Sequence, residues 1–237
     1  MARLTPTFIS STIGANYGYY NPVSAAMPAG AIEGDLVVVV GQRGSLGANG
    51  QPYGSPALPD TDWVNHWNLN GMSVWSRFVT ADDAATLIIQ PIVGGNTTTT
   101  SLISVSVFRS VDPDQRIDGD IVAATNGSYV TNFPALNIVE ANSRPIAAAG
   151  NWTTFHIPSG NHPNGSEACA VIGTTAGNDA GMSVYADTTA TTAGETITAF
   201  SPSNGGTSSQ TAGVRFALRS ASAVDASPIA ADISRFS

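Results

Sequence analysis

The sequence contains no lysine: its nine basic residues are all arginine, scattered singly from Arg3 to Arg235. A Walker A P-loop, a protein-kinase lysine, a pyridoxal Schiff base and the serine–lysine pair of penicillin-binding enzymes all need the missing amine, and each is excluded. The single cysteine, Cys169, excludes an intrachain disulfide and a multi-cysteine zinc site. Charged residues make up 11% of the 237-residue chain, against about 25% in ordinary soluble domains. Its exterior must therefore be built largely from Ser, Thr, Asn and Gly. Seventeen acids outnumber the arginines for a net charge of −8. Without a basic run there is nothing to neutralise a phosphate backbone, so no nucleic-acid partner is expected. No apolar stretch approaches the roughly 18 residues that cross a bilayer, and the N-terminal sequence lacks the basic-then-apolar order of a secretory signal; no membrane partner is expected either. Four N-x-S/T sequons, at Asn96, Asn126, Asn151 and Asn164, are what chance supplies in a chain this rich in Ser, Thr and Asn.

Glutamate is scarce as well, four against 13 aspartates, and with lysine absent the usual exposed-helix formers are missing. What is present is β-forming. Short runs of Val, Ile, Thr and aromatics bounded by Gly, Pro, Asn and Asp predict strands at 7–11, 35–41, 72–79, 86–92, 102–109, 136–139, 145–151, 168–174, 182–187, 195–200 and 214–219. The run Leu36–Val40 is apolar on both faces and predicts a central strand covered from both sides. In 102–109, Ile103, Val105 and Val107 alternate with Ser104, Ser106 and Phe108, which predicts one core face and one wet face. The segment 72–79 is only roughly period two. Asn49-Gly50, Asn70-Gly71, Asn126-Gly127 and Asn164-Gly165 mark tight turns.

The expectation is an all-β protein: an antiparallel β-sandwich, jelly-roll-like, of about ten strands with short terminal arms. Residues 1–20 form an N-terminal strand or arm, 21–219 the sandwich, and 220–237 an arm leaving the domain. No repeat with a fixed period and no domain-splitting linker are visible.

The candidate sites are few. Asp112, Asp114, Asp118 and Asp120 would offer hard oxygen ligands to calcium from one segment, but they lack the EF-hand order and its twelfth-position glutamate, and a solvated turn accounts for the same residues. No cofactor is expected, calcium here being the one candidate. His156, His162, Glu167 and Cys169 carry zinc-competent atoms at no recognised spacing, and Cys169 lies in an apolar run that suits a buried thiol. No G-x-S-x-G elbow occurs, leaving serine hydrolysis without an anchor. Asp60 with Asp62, or Asp82 with Asp83, would pair for glycoside hydrolysis only with a cleft and differently tuned acids, and Asp82-Asp83 reads most simply as a turn. The group Trp63, His66 and Trp67, and Trp152 apart from it, would stack on sugar rings if exposed and pack as core if not.

Gly34-Asp35 before Leu36–Val40, Trp63, the strand Val74-Trp75-Ser76-Arg77 with its 80–84 turn, Val105–Arg109 followed by Ser110-Val111-Asp112, and the closing Val214-Arg-Phe-Ala-Leu-Arg219 resemble a β-sandwich module of tailed-bacteriophage structural proteins and some bacterial surface proteins. Its strands read "GDLLV", "vysR", "yrGvd" and "faLR", and Ser110 stands where the third pattern often has glycine. The resemblance spans about residues 8–220. It implies a non-enzymatic virion component on the exterior of capsid or tail: a head decoration (cement) protein, head fibre or tail-associated protein, usually homotrimeric, with other virion proteins such as the major capsid protein as partners. The alternative expectation is a carbohydrate- or receptor-binding module of a tail fibre or tail tip that uses the tryptophans. A third is a calcium-dependent or hydrolytic protein using Asp112–Asp120.

Overall fold

The computed structural model describes residues 3–16, 23–43, 62–69, 71–83, 87–90, 101–126, 132–151, 166–172, 181–201 and 211–223. Its elements are all strands: β1 (Arg3–Leu4), β2 (Thr7–Asn16), β3 (Val23–Ala26), β4 (Leu36–Arg43), β5 (Val64–Leu69), β6 (Met72–Phe78), β7 (Leu87–Gln90) and β8 (Ser101–Arg109), then β9 (Val122–Asn126), β10 (Leu136–Asn137), β11 (Arg144–Asn151), β12 (Ser166–Ile172), β13 (Gly181–Asp187), β14 (Thr196–Ile197), β15 (Thr211–Leu218) and β16 (Ala221–Ser222). Each of the eleven segments expected from composition overlaps one of them, 136–139 and 195–200 by two residues each, while residues 86, 91–92 and 173–174 lie outside the described residues. Ten form two five-stranded antiparallel sheets, ordered β2-β8-β4-β6-β5 and β12-β13-β11-β15-β9, and the remaining six pair two by two.

Alternation explains the layering. Leu36, Val38 and Val40 of β4 meet Ile146 and Ala148 of β11 and Val214 and Phe216 of β15 in the core between the sheets. Val37 and Val39 face the other way, into a second cluster with Val23 and Ala25, so the β3–β7 ribbon roofs the outer face of the first sheet. The β10–β14 ribbon does the same for the second sheet, burying Leu136 and Ile138 on Ala217. Phe133 and Phe200 stack beside it at 4.5 Å over Ala147 and Ala149. Both sheets are thus apolar on both faces, and a chain with so few wet faces has little place for charge. Gly14 lets the first roof approach: a Cβ there would collide with the Ser24 carbonyl.

The expected wet face of β8 is buried. Ser104 and Ser106 point with Leu102 and Phe108 into the core between the sheets, at 0% and 1% exposure. Period two tells two faces apart but does not say what covers each. Terminal residues are also drawn in. Residues 3–16, read from sequence as a strand or arm, form β1 and the edge strand β2, and β1 pairs with β16, placing Arg3 opposite Ser222. Residues 224–237 of the expected C-terminal arm lie outside the described residues.

The first sheet uses only residues 7–109 and the second only 122–218, and the two halves have the same topology. Matching β2–β8 to β9–β15 in order reproduces both the sheet order and the roofing ribbon, β3–β7 matching β10–β14. Registers agree: Leu36 opposite Phe108 matches Arg144 opposite Leu218, and Gly71-Met-Ser-Val-Trp75 matches Gly181-Met-Ser-Val-Tyr185. Local bonds repeat as well, for Asp83 accepts from the Thr80 N–H at 2.6 Å and Glu195 from the Thr192 N–H at 2.9 Å. The repeat has no fixed period, which hides it in the sequence: the offset drifts from 103 residues (His66 to Cys169) through 108 (Leu36 to Arg144) and 110 (Met72 to Met182) to 112 (Thr80 to Thr192). Gln42 and Gly150 are equivalent and meet across the core. An approximate two-fold axis therefore runs between the sheets along the strands. Identical large side chains would collide on it, and the chain sets a glutamine against a glycine.

Ser110, after β8, has φ 65°, a left-handed conformation that glycine adopts without cost. Ser110→Gly is expected to raise stability by about 1 kcal/mol, or roughly 2–4 °C in Tm for a chain of this size. Thermal melting checks it, and an unchanged or lower Tm would count against strain at this position.

Candidate functional site

Seven of the nine arginines have described side chains, and each is tied within the fold. At the corner between β3 and β4, Gly34 turns at φ 86° and delivers Asp35, whose Oδ2 accepts the Ile32 N–H at 3.0 Å. Arg109, at the end of β8, donates to this 2%-exposed carboxylate through Nε and Nη2, both at 2.8 Å, and the bonds raise its pKa further. Arg77 pairs with Asp83, which also accepts from the Thr80 hydroxyl at 2.9 Å. Arg144 donates to the Pro6 carbonyl at 3.0 Å. Arg215, 2% exposed, donates to the Thr198 and Pro134 carbonyls at 2.8 and 3.2 Å beneath the second roof, where burial lowers its pKa against the opposing pull of Asp187. The two-nitrogen fork by which Arg109 meets both oxygens of Asp35, and the planar face that Arg215 sets against Phe200, are things lysine lacks.

Arg219 is the counterpart of Arg109, but Ser143 stands where Asp35 would be. It turns instead to Asp112 at 3.3 Å and Glu140 at 3.0 Å, while Arg3 joins the same acids and donates to the Ser220 carbonyl at 2.9 Å. This network holds the β1–β16 clasp. The acidic segment is thereby placed: it is the crossover between the sheets. Asp112 Oδ1 accepts the Asp114 and Gln115 N–H groups, Asp118 is buried and accepts those of Val139 and Glu140, and Asp114 and Asp120 are exposed. Among the described residues no group of three or more His, Cys, Asp or Glu could hold a metal ion.

The structure separates the tryptophans. Trp63 packs on the cluster under the first roof with the Arg77 guanidinium 4.9 Å from its ring, whereas Trp67 packs on the core between the sheets. They face opposite sides of one sheet and cannot form a shared platform. Trp152, His156, His162 and Asp60 lie outside the described residues, as does the Glu167 side chain; Asp62 and Asp82 are exposed. Cys169 is buried, and its carbonyl accepts from the Ser11 hydroxyl where β12 bulges against β2.

His66, grouped from sequence with Trp63 and Trp67, has polar partners that the sequence did not show. His66 is the extra residue of a bulge in the edge strand β5, and its Nε2 lies 2.7 Å from Ser76 Oγ. Arg116 reaches in from the crossover, donating to the Ser76 carbonyl at 2.9 Å and to Oγ at 3.5 Å, with its guanidinium 5.0 Å from the centre of the Phe78 ring. One hydrogen joins the pair, given by the Ser76 hydroxyl to Nε2 or by Nε2 to Oγ according to the ring's tautomer, since Oγ has a lone pair for each neighbour. Burial, with the Arg116 charge adding to it, lowers the ring's pKa from 6.5 to about 4. Ser76 is wholly buried, so this serine–histidine pair offers no nucleophile to a substrate. Its chemistry is confined to one proton.

No family model, no curated protein and no solved structure matches the chain.

Proposed function

We propose that the chain is a non-enzymatic structural protein of a bacteriophage virion, a decoration or head-fibre protein carried as a homotrimer on the outside of the shell. The observation that carries this reading is the use made of charge: every described arginine is bound to a carboxylate or backbone carbonyl of its own chain. Such a molecule works through shape and neutral polar contact across an interface, the means by which structural proteins associate. The resemblance of the Gly34-Asp35, Arg77 and Val214–Arg219 segments to phage structural modules points the same way. Internal duplication supports it too, giving a rigid body roofed on both sides.

The test is addition of the purified chain to capsids that lack it. Saturable co-sedimentation is expected, with a solution mass three times the 24.2 kDa of the chain. A chain that stays in the supernatant yet binds a glycan array would replace this reading with the tail-fibre one.

A further inference from the structure

Both halves of the chain bulge at the same place in the same edge strand, but they fasten it differently. At the position of His66 the second half has Cys169, and at that of Ser76 it has Ala186. The fold therefore makes this bulge without a histidine–serine bond, and the polar fastening in the first half is an addition to it. Among the described residues β5 is the last strand of its sheet, paired there with β6.

We propose that His66 is an acid-operated latch on an edge strand of the first sheet: uncharged, its ring holds the β5 bulge to Ser76, and protonated, it releases β5 from β6. A second proton charges the ring where burial disfavours charge and sets it beside the Arg116 guanidinium, which reaches the same Ser76 oxygen. Among the described residues no carboxylate sets its charge against the ring: Asp62, just before β5, is exposed. On β6, Arg77 points to the opposite face, toward Asp83 and Trp63. In the crossover, Asp112 is engaged by Arg219 and Arg3, Asp118 accepts the Val139 and Glu140 N–H groups, and Asp114 and Asp120 are exposed. β9 contains no titratable residue, and β5 has none besides His66.

The sign follows from linkage. The closed-state pKa lies below the open-state value, so the latch is fully effective above pH 6.5 and weakens as pH falls toward 4. A ring that titrates near 6.5 when β5 is open and about 4 when it is closed shifts the opening equilibrium by about 100-fold at pH 4. Hydrogen exchange on the full chain, corrected for the intrinsic pH dependence of exchange, reads this directly. Protection of the β5 amides is expected to fall by about 100-fold between pH 7 and pH 4 while β4 and β8 keep theirs, and His66→Gln, which retains a neutral acceptor, is expected to abolish the fall. Unchanged β5 protection in the wild type, an identical fall in the variant, or simultaneous loss across the sandwich would each overturn the proposal. Should the variant not fold, NMR titration of the wild type decides: the His66 ring and the β5 amides shift with one midpoint if the latch exists, and with separate midpoints if it does not.

Discussion

Replacing Arg215 with alanine is expected to destabilise the chain by about 3–5 kcal/mol, lowering Tm by roughly 10 °C. Arg215 sits at 2% exposure on the outer face of β15, under the ribbon that roofs the second sheet. Its Nη1 bonds the Pro134 and Thr198 carbonyls, one from each side of that ribbon, and its guanidinium lies 5.1 Å from the centre of the Phe200 ring. Alanine would leave both carbonyls unpaired and a void beneath them. The loss should centre on the roof, so proteolysis within 132–138 and 195–201 should accelerate before the sheets open. A variant that melts within about 0.5 kcal/mol of the wild type, the scatter of ordinary surface substitutions, would show that the ribbon is held by its apolar contacts alone.

Asp35→Ala is expected to cost about 3 kcal/mol. The carboxylate accepts two bonds from Arg109 and one from the Ile32 N–H, and charge-assisted bonds of this kind contribute about 1.5–3 kcal/mol each when they cannot be replaced by water. Arg109 is partly exposed and recovers some solvation, which keeps the total nearer one such bond than three. Equilibrium denaturation measures it. Because Ser143 serves at the equivalent corner of the second half, Asp35→Ser should recover part of the loss; if both variants match the wild type, the corner is not tied by this ion pair.

Much of this architecture is legible in the residues. Leu36–Val40 identified the centre of the first sheet because a run without alternation has no wet face, and β4 lies in the middle of its sheet at 0–1% exposure. The short strands β3, β5, β9 and the β1–β16 clasp were missed, since Val23-Ser-Ala-Ala26 and Val64-Asn-His-Trp67 draw their stability from what they cover rather than from propensity. The serines of β8 misled for a related reason: small polar residues fit a crowded core as readily as a surface. The duplication stayed hidden because insertions move the offset, leaving Gly71–Trp75 and Gly181–Tyr185 as its clearest trace. As for the site, the acids and tryptophans drew attention as clusters in sequence, whereas the bonds that matter join residues far apart, Arg109 to Asp35 and Arg219 to Glu140. Arg215 did leave a signal, an arginine inside the apolar run Val214–Leu218, and so did the absence of lysine.

That absence gives the most direct test. The arginines serve by the planar geometry of their guanidinium groups and not by charge alone, so the melting temperature of Arg215→Lys is the deciding measurement. It keeps the charge but loses the planar group set against Phe200 and buries a more strongly hydrated ammonium in its place, and Tm should fall by about half as much as in Arg215→Ala, roughly 5 °C. A lysine variant that melts with the wild type would contradict the account.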